Sequence, residues 1–103
     1  MARRPKGVQS YVNEAQVEAV IKENPGILYA VNISWSAGTI GDEVILRDGT
    51  GNTDRIIFRF RAPTAAGSFA AALPEVGKEF LTGLYLDLQT TGGSVFRVCV
   101  DYD

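Results

Sequence analysis

The chain has 103 residues, of which 46% are hydrophobic and 21% are charged, and its net charge at pH 7 is −2. This composition excludes a disordered chain and predicts one domain with a core of its own, while no apolar run approaches the about 20 residues that a membrane helix needs. The absence of histidine and the presence of a single cysteine, Cys99, exclude a Ser-His-Asp triad, a cysteine zinc site and an internal disulfide.

The N-terminal segment, residues 1–13, has no clear period and is predicted to be an extended arm with a short strand at 8–12. Its basic residues Arg3, Arg4 and Lys6 leave a charge of −5 on the rest of the chain. A solvated end is the ordinary role of such a terminus, and it is favoured over a contact with nucleic acid or with an acidic protein surface. No apolar signal core follows the arm, so we expect a soluble protein made in a cytoplasm.

The next segments contain one ambiguity and one long strand. Residues 14–22 are compatible with a helix or a strand. They include good helix formers, and their apolar residues fit both the helical period and the alternation of a strand. Asn24, Pro25 and Gly26 predict a turn, with Gly26 in the left-handed conformation. Apolar and smaller side chains then alternate over 27–35, which predicts a strand with this inward row: Ile27, Tyr29, Val31, Ile33 and Trp35.

The middle of the chain predicts two more strands around a polar loop. After a turn at 36–42, Val44 and Leu46 are expected to face inward, with Ile45 and Arg47 outward. The loop DGTGNTD at 48–54 places oxygens at alternate positions as calcium loops do, but Arg59 stands where an EF-hand has its closing Glu, so a plain turn is favoured over a weak calcium site. Residues 55–61 alternate, with Ile56, Phe58 and Phe60 inward and an outward row of Arg55, Ile57, Arg59 and Arg61.

The last third of the chain gives the clearest strand signal. After an Ala-rich stretch with a short strand at 68–73, segments 83–89 and 94–102 predict a long antiparallel hairpin around the glycine-rich turn 90–93. Their inward rows need a second sheet to cover them, so we predict an antiparallel β-sandwich of six to eight strands. The inward residues are Leu84, Leu86, Leu88, Phe96, Val98, Val100 and Tyr102.

Several apolar residues fall on outward rows instead. They are Ile57, Tyr85, Val95 and Cys99, and they indicate a surface that another subunit buries. Scattered surface residues, or an outer face covered by the N-terminal segment, explain them equally well. Cys99 has no histidine or helix N-terminus to activate it, so it is interpreted as a packing residue.

No arrangement of residues predicts an enzyme, a metal site or a cofactor. Asp42 and Glu43 are adjacent and would face opposite sides of a strand, while Asp101 and Asp103 lie at a solvated terminus. No carboxylate pair is therefore placed to hold the two different pKa values that acid–base chemistry needs. Tyr85 alone, without a second exposed aromatic ring, does not make a sugar-binding platform.

Five motifs follow one another along residues 17–103. They are NPG at 24–26, ILYAVNISW at 27–35, a Gly-Thr turn at 38–39, VILRDGT at 44–50 and FLTGLYLDLQTTGGSVFRVCVDY at 80–102. This order resembles that of small β-sandwich proteins from the virion structural regions of tailed bacteriophages. The resemblance implies that residues 17–22 are a strand; the Ala-rich stretch 63–73 fits it loosely, and the basic arm lies outside the pattern.

The resemblance also implies a function. We predict a non-catalytic capsid decoration or cement protein on the virion surface, with the major capsid protein as its partner and self-association as a homotrimer. The expected fold is an all-β, jelly-roll-like sandwich over 14–103 with the extended arm 1–13. A tail, neck or head-fibre module, including one that binds a host glycan, is the alternative.

The expected contacts with the capsid or with other subunits lie in two regions. The first is the arm, with Arg3, Arg4, Lys6 and Tyr11, which can become ordered on binding. The second is the outward row and its neighbour: Arg55, Ile57, Arg59, Arg61 and Tyr85. The ordinary alternatives are a disordered arm and a solvated outer face.

Overall fold

The computed structural model describes residues 9–13, 18–72, 77–90 and 95–103, with side chains for all of these except 9–13 and Ala72. The described residues form nine β-strands and no helix. The strands are β1 Gln9–Asn13, β2 Ala19–Lys22, β3 Gly26–Ser36, β4 Glu43–Asp48, β5 Arg55–Arg61, β6 Gly67–Ala72, β7 Lys78–Phe80, β8 Leu84–Gln89 and β9 Val95–Tyr102. The strand predictions within 17–22 and 68–73 are thus confirmed for the described positions.

Two antiparallel sheets make up the fold. The five-strand sheet has the order β1-β9-β3-β6, with β7 pairing the first residues of β3, and the four-strand sheet has the order β2-β8-β4-β5. Each sheet turns one apolar face toward the other, as alternating strands require. The predicted all-β antiparallel sandwich is therefore confirmed.

The core between the sheets comes from alternate residues of the long strands. Its fully buried members include Val31, Leu46 and Leu86, and Trp35 packs between Phe60 and Phe96 with ring centroids 5.1 and 6.0 Å apart. Both predicted C-terminal rows are buried as well: Leu84, Leu86, Leu88, Phe96, Val98, Val100 and Tyr102.

The predicted C-terminal hairpin is wrong. β8 pairs with β2 and β4, whereas β9 pairs with β1 and β3, so the two strands belong to different sheets. Alternation shows which side of a strand is buried, but both sheets bury their rows in the same core. The strands on either side of the glycine-rich segment therefore lie in different sheets and are not neighbours.

A β-bulge in β3 changes which of its residues face the core. The register against β9 shifts between Leu28 and Ala30, so Tyr29 has no direct partner in β9. As a result Leu28 is fully buried, whereas Ile27 and Tyr29, both predicted to face inward, are half-buried. The rest of the predicted row is buried: Val31, Ile33 and Trp35.

Gly26 is required for a reason other than the predicted one. The φ angle of Gly26 is not positive, so Gly26 does not adopt the left-handed conformation. Instead, a Cβ at this position would overlap the carbonyl oxygen of Asp103 and approach the Phe80 ring to 2.7 Å. The C-terminus packs here because Asp103 N donates to Ile27 O at 2.8 Å and Ile27 N donates to Asp103 O at 3.1 Å.

Candidate functional site

The predicted contact residues of the arm lie largely outside the described chain. Arg3, Arg4 and Lys6 fall in residues 1–8, which are not described, and the Tyr11 side chain is not described either. The backbone of Tyr11 is in β1, where it pairs with Val100 of β9. Part of the predicted arm is therefore an edge strand of the five-strand sheet, in agreement with the short strand expected at 8–12.

The predicted outward row of β5 is interrupted by a bulge. Leu46 of β4 pairs with Phe58, but the next residue, Arg47, pairs with Ile56, so Ile57 has no direct partner in β4. Ile57 is 7% exposed and packs in the core, whereas Ile56, expected inside, is 37% exposed. The outward placement of Ile57 is wrong, and the residue is not available as a contact.

The same bulge moves Arg55 away from the other arginines. Arg55 lies directly opposite Asp48, on the inner side of the sheet, and its Nη2 contacts the Asp48 carboxylate at 3.0 Å. Arg59 lies opposite Ile45 on the outer side, where its Nε contacts Glu43 at 3.1 Å. Arg55, Arg59 and Arg61 therefore do not form one row, and only Arg59 and Arg61 share the outer face.

An ion pair at the centre of this outer face was not predicted from the sequence. Nε and Nη2 of Arg47 both contact Oδ2 of Asp87 at 2.9 Å, and Nη1 of Arg47 donates to the Asp54 carbonyl at 2.7 Å. Asp87 is fully buried, and Ile45 beside it is 2% exposed although it points away from the core. Strand alternation places Arg47 and Asp87 outward but cannot show that they are covered.

Neighbouring side chains keep the carboxyl group of Asp87 ionised. Burial raises the pKa of Asp87, but side-chain hydrogen bonds with Glu18, with Gln89 at 2.7 Å and with Arg47, together with the positive charge of Arg47, outweigh it. The net result is a pKa below the usual range of an aspartate. Asp87 is thus an anion whose hydrogen-bonding capacity is used inside the chain, which suits a structural role.

Tyr85, the remaining predicted contact, is half-buried on the same face. Its hydroxyl donates to Oε2 of Glu18 at 2.7 Å. This hydrogen bond, with smaller contributions from burial and from the Glu18 charge, raises the pKa of Tyr85 to about 12. The hydroxyl is therefore neutral and already donates its proton to a hydrogen bond with Glu18.

Asp48, at the end of β4, forms hydrogen bonds with the loop that leads into β8. Its carboxylate accepts backbone N–H bonds from Leu81 at 2.9 Å and from Thr82 at 2.8 Å, in addition to the contact with Arg55. Burial raises the pKa of Asp48, but the bonds from Leu81, Thr82 and Arg55 together lower it below its ordinary value. The side chain is 5% exposed, so this is a buried, satisfied anion.

The DGTGNTD loop is organised by its other aspartate. Oδ2 of Asp54 accepts N–H bonds from Thr50 at 3.0 Å and from Gly51 at 2.9 Å. Both carboxylates of the loop are thus engaged by donors, as a turn requires, and are not directed together toward a cation. Among the described residues no three His, Cys, Asp or Glu side chains are grouped so that they could hold a metal ion.

The outer face of the five-strand sheet has a different character. It contains a shallow depression of about 330 Å³ lined by Asn32, Ser34, Ser68, Ala70 and Cys99, with Arg97 at its side. Trp35 is not exposed there: it is 7% accessible, and its Nε1 donates to the Thr64 carbonyl at 2.9 Å. The aromatic platform that a glycan site would need is therefore not present on this part of the described chain.

The chain matches no protein-family model, no curated protein and no solved structure at a significant level. In the part of the chain that is described, no helix has the length and apolar character needed to cross a bilayer. The outer faces of the two sheets differ in the described residues: the four-strand sheet carries the Arg47–Asp87 ion pair, and the five-strand sheet carries small polar and apolar side chains beside Arg97.

Proposed function

We propose that the chain is a non-catalytic structural protein of a tailed-bacteriophage virion that decorates the capsid and stabilises it as an oligomer. The proposal joins the sequence resemblance to one observation, the strand orders β1-β9-β3-β6 and β2-β8-β4-β5. Eight strands that alternate between two sheets in this order have the topology of a jelly roll, an architecture that viral capsid domains and lectins use. We therefore propose a jelly roll in which β7 is an added short strand.

Under this proposal the protein is made in the host cytoplasm and binds the outside of the capsid, with the major capsid protein as its partner. The contacts would be Arg61 on the four-strand sheet, with Arg59 beside it already paired with Glu43, the Tyr85 ring, and the arm with Arg3, Arg4, Lys6 and Tyr11. Arg61 supports this role because it is exposed and makes no hydrogen bond or ion pair with the described residues. Such charges can pair with acidic capsid loops.

Stabilisation would come from several weak contacts made together. When one oligomer binds two or more capsid subunits, each later contact forms at a high effective concentration, so the complex is tighter than any single contact. The bound oligomer would then hold neighbouring subunits together against the pressure of the packaged DNA. The trimer implied by the resemblance stays a prediction.

The test is binding of the purified chain to empty capsids of its source phage. We expect saturable co-sedimentation and a higher capsid melting temperature. Arg61→Glu should raise the half-saturation concentration by at least about threefold, because it places a negative charge against acidic loops. Lys78→Glu, the same charge change on β7 of the other sheet, should leave binding unchanged.

Two outcomes would overturn the proposal. One is the absence of co-sedimentation at every concentration together with binding to purified tails or necks, which would favour the alternative module. The other is binding of the isolated chain to a host glycan without binding to capsids. Equal loss of binding in Arg61→Glu and Lys78→Glu would reject the four-strand face as the contact, since the effect would then depend only on net charge.

A further inference from the structure

β6, Gly67–Ala72, is an edge strand whose outer edge is open. One edge pairs antiparallel with β3, from Ala30 opposite Ala72 to Trp35 opposite Gly67, and no described residue pairs with the other. Every residue from Gly67 to Ala70 is exposed. The open edge of six residues therefore presents backbone N–H and C=O groups that another strand can satisfy.

β6 lacks the charges by which proteins normally protect such an edge. Its sequence, GSFAAA, has no charged residue and no proline. Of the two edge strands of the four-strand sheet, β5 contains three arginines and β2 contains Lys22. β7, which continues the edge of β6 along β3, contains Lys78 and Glu79. Charged side chains on edge strands disfavour pairing with a second chain, so β6 is the less protected of these edges.

β1, at the opposite edge of the five-strand sheet, is also uncharged in its sequence QSYVN. It differs from β6 in what precedes it, because Arg3, Arg4 and Lys6 lie within a few residues of its start. Antiparallel pairing of β1 with β1 would place the two basic segments at opposite ends of the paired strands, so these charges do not decide between the two edges. β6 is distinguished instead by Phe69, an exposed aromatic side chain at its edge.

An aromatic cluster beside β6 adds apolar surface to the edge. Phe69 is on the inner side of the strand, opposite Ile33, and its ring stacks on Phe60 with centroids 4.7 Å apart. Phe58 lies 6.4 Å from Phe69 on the same side. Although it belongs to the inner face, Phe69 is 37% exposed because the sheet ends there. A strand added at this edge would cover it.

We propose that two copies of this chain associate by antiparallel pairing of β6 with β6 about a twofold axis near Ala70. In that register Phe69 of one copy lies opposite Ala71 of the other on the inner face, so a large side chain meets a small one. The β1-β9-β3-β6 orders of the two copies then join into one continuous sheet. The twofold contact is isologous, because each copy donates and accepts the same bonds.

This pairing rests on the proposed function, in which the protein acts as an oligomer. It identifies the surface through which the copies associate. It predicts a dimer where the resemblance implies a trimer, so the mass of the protein in solution decides between the two. The mass of the free protein in solution tests the pairing, and capsid co-sedimentation tests the virion role. Failure of one is therefore distinguishable from failure of the other.

The experiment is sedimentation equilibrium of the full chain over a series that reaches about 1 mM. We expect a reversible monomer–dimer equilibrium for the natural sequence. Ala70→Lys should raise its dissociation constant at least about tenfold, because the two introduced charges would face each other across the axis. Ser34→Lys is the matched control, since Ser34 is exposed on the same face but lies on β3, one strand away from the edge.

The far-ultraviolet circular dichroism spectrum reports whether each variant folds, and Ser68→Lys on the same edge replaces Ala70→Lys if the latter does not. A monomer at all concentrations, a trimer, or a dimer that both β6 variants leave intact would overturn the proposal. Equal weakening by Ser34→Lys and Ala70→Lys would also overturn it, because the contact would then involve the face of the sheet and not its edge.

Discussion

The outer faces of the two sheets differ in how their polar groups are satisfied. On the four-strand sheet the charges are paired within the chain, as Arg47 is with Asp87 and Arg59 with Glu43. On the outer face of the five-strand sheet, small exposed side chains such as Ser34 and Ala70 lie beside the exposed Arg97, and no described residue pairs with the outer backbone edge of β6. Most charges of the four-strand face are therefore paired within the chain, Arg61 being without an ion pair among the described residues, whereas the β6 edge is uncharged and has backbone groups that no described residue pairs.

The comparison teaches that a run of arginines is a poor guide to a contact surface until their partners are known. Of the three arginines in β5, two are tied to acidic residues of β4. By contrast, GSFAAA carries no chemical signal in its side chains. Its relevance comes from its position at the edge of the five-strand sheet.

The largest effect should follow from breaking the buried pair of the four-strand sheet. Arg47→Met leaves the fully buried Asp87 without its cation, so we expect the free energy of unfolding to fall by about 3–5 kcal/mol. Chemical denaturation measures this loss. Arg61→Met on the same face should change stability by less than about 0.5 kcal/mol, because Arg61 has no ion pair among the described residues. An equally large loss there would contradict the distinction between Arg47 and Arg61.

A smaller loss is expected at the loop held by Asp48. Asp48→Asn weakens the charge-assisted bonds to Leu81, Thr82 and Arg55, and should cost about 2–3 kcal/mol at pH 7. Because the pKa of Asp48 is lower in the folded chain, the unfolded chain binds more protons below about pH 4, and stability falls as the pH decreases through that range.

Denaturation measured from pH 7 to pH 2 checks this sign. The Asp48→Asn variant should lose stability less steeply in acid than the natural sequence does. Glu79→Gln, at an exposed position on β7, serves as the control and should retain the natural slope. Identical acid slopes for the natural chain and Asp48→Asn would show that the carboxylate is not stabilised by the fold.

The smallest effect should be at the rim of the four-strand face. Tyr85→Phe removes the hydrogen bond to Glu18 and should lower stability by about 1 kcal/mol, while Tyr29→Phe should have almost no effect. The raised pKa of Tyr85 makes its contribution complete below about pH 10 and lost as the pH rises toward about 12. Ultraviolet titration should therefore show a tyrosine that ionises late and that is missing in Tyr85→Phe.

Much of the local structure could be predicted from the sequence. Alternation located β3, β5, β8 and β9 to within one or two residues and placed Val98 and Leu86 in the core, since burial of one face is what produces the alternation. The bulges at Tyr29 and Ile57 could not be predicted, because they depend on the register with a neighbouring strand. Each bulge reversed the predicted side for the residues next to it.

The pairing of the strands and the ion-pair partners of charged side chains could not be predicted from the sequence either. Two apolar rows separated by a glycine-rich segment fit a hairpin and a crossing between sheets equally well, so β8 and β9 were predicted to pair although they lie in different sheets. The Arg47–Asp87 pair joins residues 40 positions apart, and only the β4–β8 pairing brings them together. For the same reason, the edge position of β6 follows from topology alone.

The most direct test of β6 as the exposed bonding edge is a symmetric disulfide. Cys99 is the single cysteine, so Cys99→Ser provides a cysteine-free chain in which Ala70→Cys can be placed at the proposed axis. Directly opposite residues of antiparallel strands have Cα atoms about 4.5–5.5 Å apart, which a disulfide can span. Mild oxidation should convert Ala70→Cys to a covalent dimer and leave Ser34→Cys monomeric. Absence of the Ala70→Cys dimer, or equal cross-linking at both positions, would contradict the account.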